Sequence, residues 1–152
     1  MGKKDEMMKK MMIFLGIVFL YTPFTLANQT QTRELSPKEM KTQNREIVEL
    51  SSKELSKTLP QVIDKYTTLT KVKGQDTTLI YIFEINTGSK SDEAVQKEDK
   101  TRMQQAVTTG ICQSSKRFLD AQINISYLYI SAKSKVELFR FDVSQADCPI
   151  VR

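Results

Sequence analysis

The residues with the most specific chemistry in this chain are its two cysteines, Cys112 and Cys148. They stand too far apart for a Cys-x-x-Cys redox motif or for a zinc site built from cysteine pairs. In an oxidising compartment two such thiols usually join. The bond would close a loop of about 37 residues and stabilise the fold by roughly 4 kcal/mol in the chain-entropy model. We therefore predict a disulfide; the alternative is two buried free thiols.

Groups suited to catalysis are scarce. The chain has no histidine, which excludes the commonest general base, the Ser-His and Cys-His pairs and the usual zinc ligand. No glycine-rich loop that could bind phosphate is present. The carboxylate pairs Asp92/Glu93 and Glu98/Asp99 could in principle serve a glycosidase, but they stand in polar stretches typical of solvated surface. We expect no enzyme and no catalytic, cofactor-binding or metal-binding residue.

The charge of the chain is mildly positive. The formal net charge is +5, and leaving out residues 1–27, with four lysines and two acidic residues, makes it +3. A nucleic-acid-binding domain usually carries a basic stripe. Here the basic residues form only short pairs: Lys71/Lys73, Lys116/Arg117 and Lys133/Lys135. We expect neither a nucleic-acid partner nor a small-molecule substrate.

Residues 1–27 have the pattern of a signal peptide. Lys9 and Lys10 precede an apolar run over residues 11–21, and small residues at Thr25 and Ala27 occupy the two positions that a signal peptidase recognises. We predict cleavage between Ala27 and Asn28 and a periplasmic or secreted protein. The alternative is an uncleaved anchor, which would be the only membrane attachment, although the apolar run is well short of the ~20 residues of a spanning helix. Asn28, not a cysteine, stands directly after the predicted cleavage point, so we expect no lipid anchor at this junction.

The rest of the chain is predicted to form a flexible linker over residues 28–37 and a single α+β domain over residues 38–152. Ser36, Pro37 and Glu39 form a capping box that begins a helix, and Pro60 ends it. The predicted elements are a helix over 36–59, a hairpin of 62–72 and 77–86, a helix over 93–112 with one more turn at 116–121, and a hairpin of 123–132 and 136–143. The order αββαββ predicts an antiparallel sheet of about four strands, two main helices and a disulfide from helix to C-terminus.

Both faces of the predicted sheet are apolar. In the strand over 77–86, Leu79 and Phe83 lie on one face, and Ile80 and Ile82 lie on the other. If each helix covers one face, both faces are explained. If both helices lie on one face, the other is an exposed apolar patch and would mark a partner site. The pattern leaves this choice open.

The order of these elements resembles that of the small β-type pilotins of bacterial type II secretion. The matching pieces are Leu59-Pro60, the hairpin around Gly74, Gly110-Ile111-Cys112, Ile123-Asn124-Ile125-Ser126-Tyr127 and Asp147-Cys148-Pro149-Ile150-Val151. The layout is also similar to that of uncharacterised exported bacterial proteins with the same C-terminal Asp-Cys.

This resemblance implies a binding protein. A pilotin holds the terminal segment of a secretin and carries it to the outer membrane on a lipid anchor. This chain departs from that pattern, because no cysteine stands directly after its predicted signal. We therefore expect an exported accessory protein that binds another polypeptide, with a secretin-like segment as a possible partner. The alternative is a periplasmic inhibitor or immunity protein, and the third hypothesis is an enzyme with two facing carboxylates.

Overall fold

The computed structural model describes residues 34–149. The predicted signal peptide, its cleavage site at Ala27 and Asn28, and most of the predicted linker lie outside these residues. None of the helices between residues 34 and 149 has the length and apolarity needed to cross a membrane. The elements are α1 (Pro37–Ser56), β1 (Gln61–Val62), β2 (Thr67–Gln75), β3 (Thr78–Ile85), α2 (Asp92–Lys97), α3 (Thr101–Ser114), α4 (Lys116–Asp120), β4 (Asn124–Ser131), β5 (Glu137–Val143) and a 3-10 turn (Gln145–Asp147).

Helix α1 begins with the predicted capping box. The Ser36 hydroxyl accepts from the Glu39 N–H, and the Glu39 carboxylate accepts from the Ser36 N–H at 2.9 Å. The helix ends at Ser56, three residues earlier than predicted. Pro60 disfavours helical backbone at the residue before it, so the chain leaves the helix before Leu59.

The predicted helix over 93–112 is two helices, α2 and α3, separated by residues 98–100. The Lys100 ammonium donates to the carbonyls of Val95, Gln96 and Glu98 at 2.7–2.9 Å and so satisfies the C-terminal end of α2. The Asp99 carboxylate accepts from the Thr101 N–H at the start of α3. Polar residues that resemble a solvated helix face thus end one helix and begin the next.

The sheet has five strands in the order β1-β2-β3-β4-β5. The predicted α+β class is confirmed. The prediction of an antiparallel sheet of about four strands is corrected: the sheet has five strands and is mixed, because β3 and β4 are parallel. The three helices between them return the chain to the end of the sheet where β3 begins, so β4 runs in the same direction. The predicted first strand over 62–72 divides into β1 and β2 at a turn over residues 63–66.

The main core lies on one face of the sheet. Cross-strand pairing places Leu79, Ile125 and Val143 side by side on that face, each at most 1% exposed. Val48 of α1, Ile111 of α3 and Leu119 of α4 belong to the same cluster. The two long helices therefore cover the same face, which answers the question that the sequence left open.

The second face of the sheet carries aliphatic residues outside this cluster. Register places Ile80 and Ile82 of β3 there beside Ser126, Leu128 and Ile130 of β4. Ile82, Leu128 and Ile130 are half-buried, whereas Ile80 and Ser126 are buried. No buried residue of α1, α3 or α4 joins them.

Candidate partner-binding surface

The two cysteines form the predicted disulfide, which joins the last turn of α3 to the residue after the 3-10 turn. The Cα atoms of Cys112 and Cys148 are 5.6 Å apart. The bond lies in the wall of a cleft of about 400 Å³. The other residues that line the cleft are Thr109, Gln113, Lys116, Leu119, Asp120, Gln145 and Pro149. The helix-to-C-terminus link of the predicted fold is therefore confirmed.

Three of the four acidic residues considered for catalysis form local hydrogen bonds: Asp92, Glu98 and Asp99. Glu98 accepts from Lys90 at 2.6 Å, and this hydrogen bond lowers the pKa of the Glu98 carboxyl. The side chain of Thr101 likewise lowers the pKa of Asp99. Asp92 accepts from the Ser134 hydroxyl. A glycosidase acid needs a raised pKa, so Glu98 and Asp99 have the wrong shift for that role.

No cluster of three or more potential metal-ligating side chains occurs among residues 34–149.

An aromatic row crosses the helical face of the sheet. Neighbouring ring centroids from Tyr81 through Tyr127, Phe83 and Tyr129 to Phe139 are 4.7–5.3 Å apart. Helix α1 packs on β2 and β3, whereas α3 packs on β5. Tyr81 and Tyr127, on the two central strands, keep part of their surface exposed.

The phenols of this row stay protonated at neutral pH. Burial raises the pKa of Tyr81 and of Tyr127. It raises the pKa of Tyr129 to about 12, with smaller effects from Tyr127 and Asp64. The row therefore offers apolar ring surface with neutral hydroxyls, which suits contact with a polypeptide and supplies no base.

A second apolar surface lies at the β1 end of the sheet. Val62 is 73%, Ile63 51% and Tyr66 55% exposed. The turn over residues 63–66, which carries Ile63 and Tyr66, is hydrogen-bonded, because Asp64 Oδ1 accepts from the N–H groups of Tyr66 and Thr67 at 2.8 and 2.9 Å. We call the three exposed side chains of Val62, at the end of β1, and of Ile63 and Tyr66, in the turn, the β1 edge patch.

Sequence patterning does not reveal the β1 edge patch, because Val62 and Tyr66 merge with β2 into one β-prone run. Asp64 is the signal that could have revealed it. Aspartate is depleted in strands, and its side chain commonly accepts from the backbone two residues on, which makes a turn. The exposure of the three side chains, by contrast, depends on tertiary structure.

Two solved structures of pilotins share this fold at low sequence identity. The type 2 secretion pilotin EpsS of Vibrio vulnificus is 13% identical, with a TM-score of 0.60 over 75% of this chain and 99% of its own. The type II secretion pilotin AspS of Vibrio cholerae is 17% identical, with a TM-score of 0.56 over 73% of this chain and 97% of its own.

A third similar structure is a Pseudomonas aeruginosa protein, PA3611, provisionally classed as secreted. It is 12% identical, with a TM-score of 0.65 over 72% of this chain and 96% of its own. At these identities the likeness concerns the fold. The curated proteins contain no significant sequence match to this chain. A family model, however, matches residues 25–139, and the chain belongs to the family described as Domain of unknown function (DUF8479).

Proposed function

We propose that this chain is an exported accessory protein that binds another polypeptide, as a pilotin-like component of a secretion system. The observation that carries the proposal is the shared fold. It extends over 97–99% of two type II secretion pilotins and includes most of the described part of this chain. Fold alone does not decide function, so the proposal also needs a suitable surface.

Two surfaces support binding of a polypeptide. Val62, Ile63 and Tyr66 of the β1 edge patch lie within five residues of one another and are all exposed, and exposed apolar side chains at one edge are a common feature of interaction sites. The partly exposed rings of Tyr81 and Tyr127 lie on the helical face. Aromatic residues are enriched at protein interfaces because they bring a large apolar area with little loss of side-chain entropy.

The proposed location is the periplasm or the outside of the cell. A disulfide is stable in oxidising compartments and rare in the cytosol, and residues 1–27 have the pattern of a signal peptide. A secretin-like segment is the partner that the pilotin-like fold favours.

The test is capture of the partner from the compartment where the protein resides. The full chain with an affinity tag is produced in its own bacterium, cross-linked in intact cells and purified from the periplasm. We expect one secretion-system component to be enriched over a tagged, unrelated periplasmic protein. Tagging that component should recover this chain in return. A periplasmic sample in which no polypeptide is enriched over the control would contradict the proposal.

A further inference from the structure

The edge of the sheet formed by β1 and β2 is both apolar and positively charged. Val62 pairs with Thr68, Lys71 pairs with Ile82, and Lys73 pairs with Ile80. Thr68 pairs with Glu84, and Glu84, Ile82 and Ile80 alternate along β3. Because alternate residues of a strand share a face, Val62, Lys71 and Lys73 all lie on the face that α1, α3 and α4 leave uncovered.

The lysines of this edge have no acidic partner within residues 34–149. Lys71 and Lys73 are exposed and form no ion pair there, and the Lys65 ammonium lies 4.6 Å from the centre of the Tyr66 ring. Positive charge is therefore left unpaired beside the exposed side chains of the β1 edge patch.

The acidic residues closest to this edge in sequence or register are already engaged. Asp64 accepts from two backbone N–H groups of its own turn. Glu84 pairs with Lys135 at 2.8 Å, and Asp76 pairs with Lys41 at 3.2 Å and with Arg45. No carboxylate among residues 34–149 therefore forms an ion pair with the three lysines, and their charge is available to a partner.

We propose that this edge binds an extended segment of a partner protein that carries apolar residues in one part and acidic residues in the next. The apolar side chains of the segment contact Val62, Ile63 and Tyr66, and its carboxylates lie against Lys65, Lys71 and Lys73. Complementary charge fixes the orientation and raises the association rate, while burial of the apolar side chains supplies affinity. This inference rests on the proposed function and adds where the partner docks and which chemistry it carries.

The test uses synthetic peptides and the full mature chain. A fluorescent peptide of about 12 residues carries isoleucine and tyrosine in one half and glutamate in the other, and a matched peptide has lysine in place of glutamate. Fluorescence anisotropy measures their affinities at about 0.05 M and 0.5 M salt. We expect the acidic peptide to bind, the basic peptide to bind at least about 10-fold more weakly, and the difference to shrink at high salt because exposed charges are screened.

Charge reversal locates the site. Lys71→Glu with Lys73→Glu should weaken binding of the acidic peptide by about 10-fold and strengthen binding of the basic one. The matched control is Lys38→Glu with Lys97→Glu, which makes the same change of net charge on α1 and α2 and should leave both affinities unchanged. Tyr66→Ser with Val62→Ser should weaken binding of the acidic peptide by a similar factor. All these positions are exposed, and circular dichroism of each variant checks the fold.

Three results would overturn the inference. One is that the wild-type chain binds the acidic and basic peptides with equal affinity, or that it binds neither peptide. Another is an acidic-peptide affinity that the Lys71/Lys73 reversal leaves unchanged. The third is a reversal variant that self-associates in size-exclusion chromatography and binds the acidic peptide normally, because edge lysines would then only keep copies of the sheet apart.

The cross-linking experiment distinguishes failure of the docking surface from failure of the proposed function. If the cross-linking experiment recovers a partner with both the wild-type chain and the reversal variant, the docking surface is wrong and the function stands. If neither chain recovers a partner, the function itself is wrong.

Discussion

At the scale of single residues, Gly74 marks a close approach between α1 and β2. A Cβ atom at this position would lie 2.7 Å from Val48 Cγ1 and 3.2 Å from the Val48 carbonyl oxygen. Val48 is 1% exposed and packed in the core, so it has little room to move. The absence of a side chain at Gly74 is what lets α1 lie this close to β2.

Gly74→Ala should lower the free energy of unfolding by about 1–3 kcal/mol, the usual cost of overpacking a core. Urea denaturation followed by circular dichroism measures the change. The matched control is Gly110→Ala in α3, where a Cβ meets nothing within 4 Å outside its own helix. That variant should gain up to about 1 kcal/mol, because alanine favours the helix over glycine. Equal effects of the two substitutions would contradict the close contact.

Asp76 is the residue whose charge most directly links α1 to the β2–β3 turn. It has a left-handed backbone with φ of 50°, and its carboxylate binds Arg45 and Lys41. The hydrogen bond from Arg45 and then that from Lys41 lower the pKa of Asp76 below its usual 3.8. A lowered pKa means that the unfolded chain binds this proton more readily than the folded chain.

The contribution of Asp76 to stability should therefore be complete above about pH 5, well above the unfolded-state pKa, and be lost as the pH falls through the lower, folded-state pKa. Asp76→Asn keeps a residue that tolerates left-handed backbone and removes the titration. We expect a shallower loss of unfolding free energy between about pH 5 and pH 2, measured by urea denaturation at each pH. Glu46→Gln, at an exposed carboxylate of α1 with no ion pair in residues 34–149, is the control. An unchanged slope in the Asp76 variant would refute the linkage.

At the scale of elements, the disulfide holds the segment after β5 against α3 and α4. Few other side-chain contacts hold this segment in the described residues. Ser144 and Asp147 hydrogen-bond to each other within it, and Gln145 reaches Asp120 at 3.4 Å. The covalent link is therefore the main constraint that keeps the 3-10 turn beside the helices.

Replacing both cysteines, Cys112→Ser with Cys148→Ser, should lower the free energy of unfolding by roughly 4 kcal/mol, because the unfolded chain regains the entropy of an open loop. Urea denaturation measures the loss, and the wild-type chain in dithiothreitol should match the variant. An unchanged denaturation midpoint would contradict this role. Two free thiols in labelling of the denatured, unreduced protein from its natural compartment would contradict both the bond and the expectation of export.

At the scale of the whole molecule, the domain is a two-layer structure with its main helices on one face of a mixed sheet. The placement follows from a single cluster that contains Val48, Ile111 and Leu119. It separates the molecule into a helical face with a partly exposed aromatic row and an opposite face bordered by the β1 edge patch and its lysines. The proposed partner segment could therefore approach the β1 edge of the opposite face without displacing α1, α3 or α4.

Export of the molecule remains a prediction that mass spectrometry can check. The mature protein should begin at Asn28, since Thr25 and Ala27 provide the small residues that signal peptidase requires. Intact mass of the protein purified from the periplasm and medium gives the cleavage point. Ala27→Leu should block or shift cleavage, whereas Asn28→Gln should leave it in place. A full-length mass beginning at Met1 or at a nearby methionine, with the protein held in the membrane, would instead indicate an anchor.

The sequence by itself determined the local features of the fold. Ser36, Pro37 and Glu39 specify the start of α1, since a capping box acts within one turn. The alternation of apolar residues specifies β3, β4 and β5, and the two cysteines indicate the link that closes the C-terminal part. The polar run over residues 98–100 is ambiguous, because Lys100 can lie on a helix surface or cap the helix before it, and only its contacts decide.

Tertiary structure alone decided which elements meet. The direction of β4 beside β3 depends on the path of the helices between them, and local patterning carries no information about that path. Local patterning also does not show which face of the sheet the helices cover, because Leu79 and Ile80 lie on opposite sides of one strand and both are apolar. The helices cover the side of Leu79, where Gly74 leaves room for Val48. That choice leaves the side of Ile80 outside the cluster that α1, α3 and α4 form with the sheet.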